Sequence, residues 1–213
     1  MHQLETKVTV LRHGETHWNL ERRFQGQLDS PLTQQGIAQA KAAGEYLKDE
    51  NFVCIYCSDL GRTVQTAQLI AQKLQREIFT EVRLRERHLG IAQGLLRTEF
   101  KTKYPEVARQ FSFNNVDFII PGGESISQCD NRVSSWMTDM ATRHSGQQIL
   151  AVTHGLILSY ILKRVLGIPL EARRRFSLFN ASINRFSIKN GEWFLDSWGE
   201  TGHTRNLKHL DEL

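Results

Sequence analysis

The sequence predicts an α/β fold, a three-layer sandwich whose mainly parallel central sheet is flanked by helices. Three observations predict it. Short apolar, β-branched runs alternate along the chain with segments whose apolar residues recur at helical spacing, the order of βαβ units. Three of those runs empty into glycine-containing polar turns, Arg12-His13-Gly14, Ser58-Asp59-Leu60-Gly61 and Thr153-His154-Gly155, as the carboxyl ends of parallel strands do. Late in the chain, Asn190-Gly191 separates two strand-like runs, the strongest short hairpin signal, which adds an antiparallel edge.

The elements follow in order. Val8-Thr9-Val10-Leu11 is the centre of a first strand over 7–11. A helix starts near Thr33, with Ile37, Ala40, Gly44 and Leu47 spaced for one face. A strand over about 52–57 leads to a helix with Ala67, Ile70, Ala71 and Leu74 on one side, for which Ser58 or Asp59 is the expected cap. The stretch 85–123 breaks the alternation. Mixed in character and ending in Pro121-Gly122-Gly123, it is expected to form a small helical and loop lid inserted above the sheet. A long helix from about Ser125 to Arg143 carries Ile126, Cys129, Val133, Trp136, Met137 and Met140 at helical spacing. A strand over 148–152, an apolar helix over about 156–166 and the hairpin complete the chain. All 213 residues are read as one domain, long enough to bury a core.

Composition narrows the class. With 40% hydrophobic and 23% charged residues the chain fits a water-soluble globular protein. No apolar stretch approaches a membrane span, and MHQLETKVTV lacks the features of a signal peptide, so a cytoplasmic location and no membrane partner are expected. Lys and Arg exceed Asp and Glu by 27 to 23, a net charge of +4, with a pI near 9.1. The basic residues are scattered apart from Arg173-Arg174-Arg175, without the interleaved aromatics of a nucleic-acid surface, so a basic pocket for a small anion is the simpler account. Three cysteines cannot make a disulfide framework. Cys54 and Cys57 have C-x-x-C spacing, but in a strand they point to opposite faces, which argues against metal or redox use. The terminal Leu210-Asp211-Glu212-Leu213 is close to a retention tail for the endoplasmic reticulum and is read as coincidence.

The chemistry gathers at the three strand ends. They deliver His13 with Arg12, Arg62 in the first turn of the next helix, and His154. If the strands are parallel, these groups converge at one edge of the sheet. One such residue at a strand end is usually structural; four at three strand ends are not easily explained that way. Two guanidiniums and two imidazoles beside a helix N-terminus suit a dianionic phosphate. No metal is expected: His13 and His17 have i, i+4 spacing but straddle a strand-to-loop exit.

These residues belong to a longer ordered set. Arg12-His13-Gly14-Glu15-Thr16 with Asn19, Gln25-Gly26-Gln27-Leu28-Asp29-Ser30-Pro31-Leu32-Thr33 with Gly36, Ser58-Asp59-Leu60 with Arg62-Thr63 and Gln65-Thr66-Ala67, Leu84-Arg85-Glu86-Arg87, Gly122-Gly123-Glu124-Ser125 and Val152-Thr153-His154-Gly155 resemble the motifs of the histidine phosphatase superfamily, in that family's order and over nearly the whole chain. The resemblance implies that His13 is the nucleophile, forming a phosphohistidine. It implies that Arg12, Arg62 and His154 hold the equatorial oxygens, that Asn19 donates to phosphate, and that Glu86 is the general acid. Thr16, Gln25, Gly26 and Gly155 are implied as substrate-binding positions. No cofactor is implied. The expected partner is a small phosphorylated molecule, with a homodimer as an option.

Within the family the sequence points two ways. Glu86-Arg87-His88, Gly90, Gln93-Gly94 and Arg97 resemble the cofactor-dependent phosphoglycerate mutases, in which the matching positions meet a second anion. Against a mutase, the chain is short, the long insertion of that group is mostly missing, and Leu156 stands where those enzymes have Asn. A reduced lid would admit water to the phosphohistidine. The expected activity is therefore metal-independent hydrolysis of small phosphomonoesters, the alternative being a phosphoglycerate mutase. A binding module without activity would be expected to lack His13, His154 or Glu86, and the chain keeps all three.

Overall fold

In the computed structural model, which describes residues 5–111, 115–207 and 211, the apolar runs become six strands of one sheet: β1 (Thr6–Arg12), β2 (Phe52–Cys57), β3 (Ile78–Thr80), β4 (Gln148–Thr153), β5 (Ile183–Lys189) and β6 (Glu192–Glu200). Their spatial order is β3-β2-β4-β1-β5-β6. The first four are parallel, and β5 and β6 run antiparallel at one edge. The β5–β6 turn is made by Asn190 and Gly191 at φ 56° and 78°, the left-handed pair that a tight hairpin turn needs. The sequence carries no readable signal for the short strand β3, since three partly exposed residues make too little pattern.

Among the described residues, seven α-helices complete the layers: α1 (His17–Glu21), α2 (Gln34–Leu47), α3 (Gly61–Leu74), α4 (Arg97–Lys103), α5 (Pro105–Gln110), α6 (Ile126–Arg143) and α7 (Gly155–Val165). The period-two alternation of a strand sorts the core into two halves. Ile149 and Ala151 of β4 join Cys129, Val133 and Trp136 of α6 and Ile157 and Ile161 of α7. Leu150 and Val152 face Ala43 and Leu47 of α2 and Ala67 and Ile70 of α3. Cys54 lies in the first half and Cys57 in the second, on opposite faces of the sheet. Among the described residues no helix is long and apolar enough to cross a membrane.

The starts of α2 and α6 agree with the sequence reading. Thr33 Oγ1 accepts from the Gly36 N–H at 2.9 Å to open α2, and Ser125 and Gln128 cap α6 reciprocally. For α3, neither Ser58 nor Asp59 is the cap. The helix begins later, at Gly61, so those residues fall outside the capping position. Asp59 instead pairs with Arg85. The open N–H of Arg62 donates to Asp29 Oδ1 at 3.2 Å, from a loop 33 residues earlier. A second correction concerns His17, which opens the short helix α1 rather than lying in a loop. His13 stays outside that helix.

The stretch 85–123 holds α4, α5 and a small apolar cluster of its own, built on Leu89, Ala92, Phe100 and Ile120 and joined by Phe24 and Phe111. Of the terminal tetrapeptide, Leu210, Glu212 and Leu213 lie outside the described residues. Asp211 accepts from Arg174 and from the Leu178 N–H, both at 2.8 Å.

Candidate active site

Parallel pairing of β1 with β4 aligns Arg12 with Thr153, so the next residue of each strand, His13 and His154, become neighbours. Their rings meet edge to face, 5.3 Å apart. The His13 N–H donates to the Thr153 carbonyl at 2.9 Å and anchors the turn. Gly14 follows because nothing larger fits: a Cβ there would lie 2.5 Å from the Gly36 carbonyl oxygen at the start of α2.

The chemistry of His13 follows from one contact. Its Nδ1 lies 2.7 Å from the Gly14 carbonyl oxygen. A carbonyl only accepts, so Nδ1 carries the proton and Nε2 presents its lone pair. Burial, and then the positive fields of Arg62 and Arg12, hold His13 well below the ordinary histidine range. Burial, Arg62 and His13 do the same to His154. Both rings are neutral near pH 7. His154 is fully buried, and neither of its ring nitrogens has a hydrogen-bond partner among the described residues. Buried polar atoms are ordinarily satisfied, so such a pair marks a place for an external ligand.

Arg62 is buried and fixed by three acceptors. Its guanidinium donates to the Gly26 carbonyl at 2.7 Å, the Leu28 carbonyl at 2.9 Å and Asp29 Oδ1 at 3.1 Å. Gly26 takes φ 58°, a left-handed conformation that glycine reaches without strain. Arg12 is equally buried and donates to the Leu178 carbonyl. Asn19 uses its Oδ1 to accept from the Thr16 N–H at 3.0 Å, while Thr16 Oγ1 accepts from the Asn19 N–H at 3.2 Å. The amide of Asn19 is thereby oriented with its NH2 group available as a donor, and Thr16 serves the turn rather than the cleft.

Glu86 comes from the start of the stretch 85–123 and lines the same cleft. Its Oε1 accepts from the Arg87 N–H at 2.7 Å, and its Oε2 from the Leu156 N–H at 3.1 Å, in the first turn of α7. Together Arg12, His13, Asn19, Gln25, Gly26, Arg62, Glu86 and Arg97 line one cleft of about 450 Å³, with His154 against the His13 ring. Gly155 is the first residue of α7, directly after His154.

Other expected positions fall elsewhere. Arg87 turns away, donating to the Glu124 carbonyl at 3.0 Å and lining a neighbouring cavity. His88 uses Nδ1 to accept from the Gly90 N–H at 3.1 Å and braces a turn. Of the other motif carboxylates, Glu15 accepts from Thr33 Oγ1 at 2.7 Å and Glu124 pairs with Arg132 at 2.7 Å. The structure adds Asn180, which the sequence did not single out. Fully buried, it donates to the His13 carbonyl and to Asn19 Oδ1, each at 3.2 Å. A separation of 167 residues left no local signal for it. Arg22 and Arg23 also line the cleft. They sit three and four residues after Asn19 and were legible only as scattered charge.

Known proteins share both sequence and shape with this chain. Residues 8–201 match the histidine phosphatase superfamily (branch 1). The protein named "Probable phosphoglycerate mutase GpmB" from Proteus mirabilis is 36% identical over 212 residues, covering 97% of this chain and 98% of its own. "Phosphoglycerate mutase-like protein 4" of Arabidopsis thaliana is 38% identical over 208 residues, 96% of this chain and 89% of its own. Among solved structures, YhfR of Bacillus stearothermophilus aligns with a TM-score of 0.87 at 30% identity, over 93% of this chain and 98% of that one. A mycobacterial glucosyl-3-phosphoglycerate phosphatase aligns with a TM-score of 0.80 at 28% identity, over 92% and 100%. Because the family model spans residues 8–201 and relatives 36–38% identical cover nearly the whole chain, this chain belongs to the histidine phosphatase superfamily.

Proposed function

We propose that the protein hydrolyses small phosphomonoesters through a phosphohistidine at His13, without a metal ion. The observation that carries this reading is the neutral His13 ring, tethered at Nδ1 to a carbonyl, with Arg12, Arg62 and His154, whose ring nitrogens have no partner among the described residues, around it. A phosphate dianion placed there meets two fixed guanidiniums, the Asn19 amide and one N–H of His154, which offset charge as it spreads over the equatorial oxygens. His13 Nε2 attacks phosphorus, the P–O bond to the alcohol breaks, and the departing oxygen takes a proton from Glu86. In the second step water attacks phosphorus, Glu86 takes back a proton, and the N–P bond breaks to release phosphate and neutral His13. The stretch 85–123 is the proposed lid over this cleft.

A phosphoglycerate mutase is the second reading, supported by the names of the curated relatives and by Arg97 at the cleft wall, where a second anion would sit. The two differ in what reaches the phosphohistidine, water or a second hydroxyl. Labelled substrate quenched in acid and in base, with phosphate release followed alongside interconversion of phosphoglycerates, tests both. The expected result is an acid-labile, base-stable label lost in His13→Ala, with release of phosphate outrunning isomerisation. Full activity in His13→Ala overturns the mechanism, and isomerisation faster than release selects the mutase.

A further inference from the structure

Beside the cleft lies a second cavity of about 230 Å³ that the reaction steps above do not use. The two share Phe24, Leu89, Arg97 and Leu156 as lining, so the second cavity adjoins the cleft that would hold the phosphate. Its walls are aromatic: Phe24, Phe100 and Phe111 pack edge to face with centroids 5.6 to 5.8 Å apart. Its lining includes Arg87, Arg97, Lys101, Lys163 and Arg174 and no acidic side chain among the described residues. The Arg87 and Arg97 guanidiniums lie over the Phe111 and Phe24 rings, each 5.2 Å from the centroid.

Two details point to an occupant. Tyr160 is 2% exposed and lines the cavity, yet its hydroxyl has no hydrogen-bond partner among the described residues. A buried phenol ordinarily finds one. Burial pushes its pKa well above the ordinary tyrosine value, so it stays a neutral donor. Lys163 is 3% exposed and is held by the carbonyls of Leu170 and Ala172, both at 2.6 Å, rather than by a carboxylate. An apolar wall alone would accept any greasy group. Aromatic walls with buried cations and an unused donor ask for an apolar body that ends in an acceptor. The volume corresponds to roughly eight waters of the liquid, enough for an aryl ring with one small substituent.

We infer that this cavity is the leaving-group site, and that it selects phosphomonoesters of aryl-sized alcohols carrying a carboxylate or similar acceptor met by the Tyr160 hydroxyl. The inference rests on the phosphomonoesterase reading of the cleft. Three esters separate the contributions: 4-carboxybenzyl phosphate, benzyl phosphate and ethyl phosphate. The first two have leaving alcohols of nearly equal acidity, so a difference between them reports recognition rather than chemistry. In the wild type kcat/KM falls in that order. Tyr160→Phe lowers the carboxybenzyl-to-benzyl ratio about tenfold, the scale of one hydrogen bond to a charged acceptor. Ala108→Trp, which fills the cavity, brings both benzyl esters down towards ethyl phosphate. Ratios unchanged in both variants overturn the proposal. If none of the esters is hydrolysed, the phosphatase reading fails separately. Calorimetric binding of 4-(hydroxymethyl)benzoate then decides the cavity: binding weakened about tenfold in Tyr160→Phe supports it, and no binding, or binding indifferent to both variants, overturns it.

Discussion

His13 and His154 stay neutral at pH values where a free imidazole would protonate, and that has a consequence for folding as well as for chemistry. Both folded-state pKa values lie well below 6.5. As pH falls through about 6.5, the unfolded chain takes up protons that the folded chain refuses, so stability drops. Above that pH the two rings contribute nothing to the slope. Below it each contributes up to about 1.4 kcal/mol per pH unit. Urea midpoints at pH 7.5, 6.5 and 5.5 should therefore fall in the last interval, and His154→Gln should flatten that fall by about half. A wild-type curve as flat as the variant's would mean that both rings protonate freely in the fold. Glu86 makes a second residue-scale prediction. A general acid contributes on the order of 10²–10⁴-fold, and an alkyl alcohol needs the proton far more than a nitrophenolate does. Glu86→Gln should cripple hydrolysis of an alkyl phosphate while sparing most of the burst with p-nitrophenyl phosphate. Small and equal losses on both would remove Glu86 from the proton path.

At the scale of elements, the catalytic turn depends on how closely two segments approach. A Cβ on Gly36, in the first turn of α2, would lie 2.1 Å from the Glu15 carbonyl oxygen. Backbone meets backbone there, so no side chain can swing away to make room. Gly36→Ala should cost about 1–3 kcal/mol of stability, the range for overpacking a tight site. It should also move the turn that carries His13, and displacements near 1 Å typically cost on the order of a hundredfold in rate. Equilibrium unfolding and single-turnover phosphorylation measure the two losses separately. A variant that loses stability and keeps the phosphorylation rate would show that α2 supports the fold without setting the position of His13. The α3 helix shows the same dependence differently. Its first turn is capped by Asp29, which also binds the Arg62 side chain, so one carboxylate fixes both the helix start and the guanidinium.

For the whole molecule, the cleft lies at the carboxyl edge of the parallel strands, where groups from β1, β2 and β4 meet, and its cationic lining predicts how ligands act on the fold. Vanadate, as a mimic of five-coordinate phosphorus held by Arg12, Arg62 and His154, should inhibit and should raise Tm. At about one hundred times its dissociation constant the gain is about 2.7 kcal/mol, or roughly 5–10 °C for a chain of this size. EDTA should change neither activity nor Tm, since the cleft offers guanidiniums where a metallophosphatase would set carboxylates. Activity lost on chelation and restored by Mg²⁺ or Zn²⁺ would overturn the metal-free reading.

The sequence by itself determined the elements and their faces, because strands and helices advertise themselves through local periodicity. The strand Phe52–Cys57, the helix start at Thr33 and the long helix from Ser125 were legible for that reason, and so was the placing of Cys54 and Cys57 on opposite faces. It also showed His13 and His154 at strand ends and Arg62 in the first turn of the helix after β2. What only the tertiary structure decided depends on contacts between residues far apart in the chain. Asn180 beside His13, Asp29 at the head of α3 and Arg87 turned into the second cavity carry no local signature. The neutrality of the two histidines belongs with them: it arises from burial and from guanidiniums brought in by the strand β1 and the helix α3, a field that exists only once the fold has assembled.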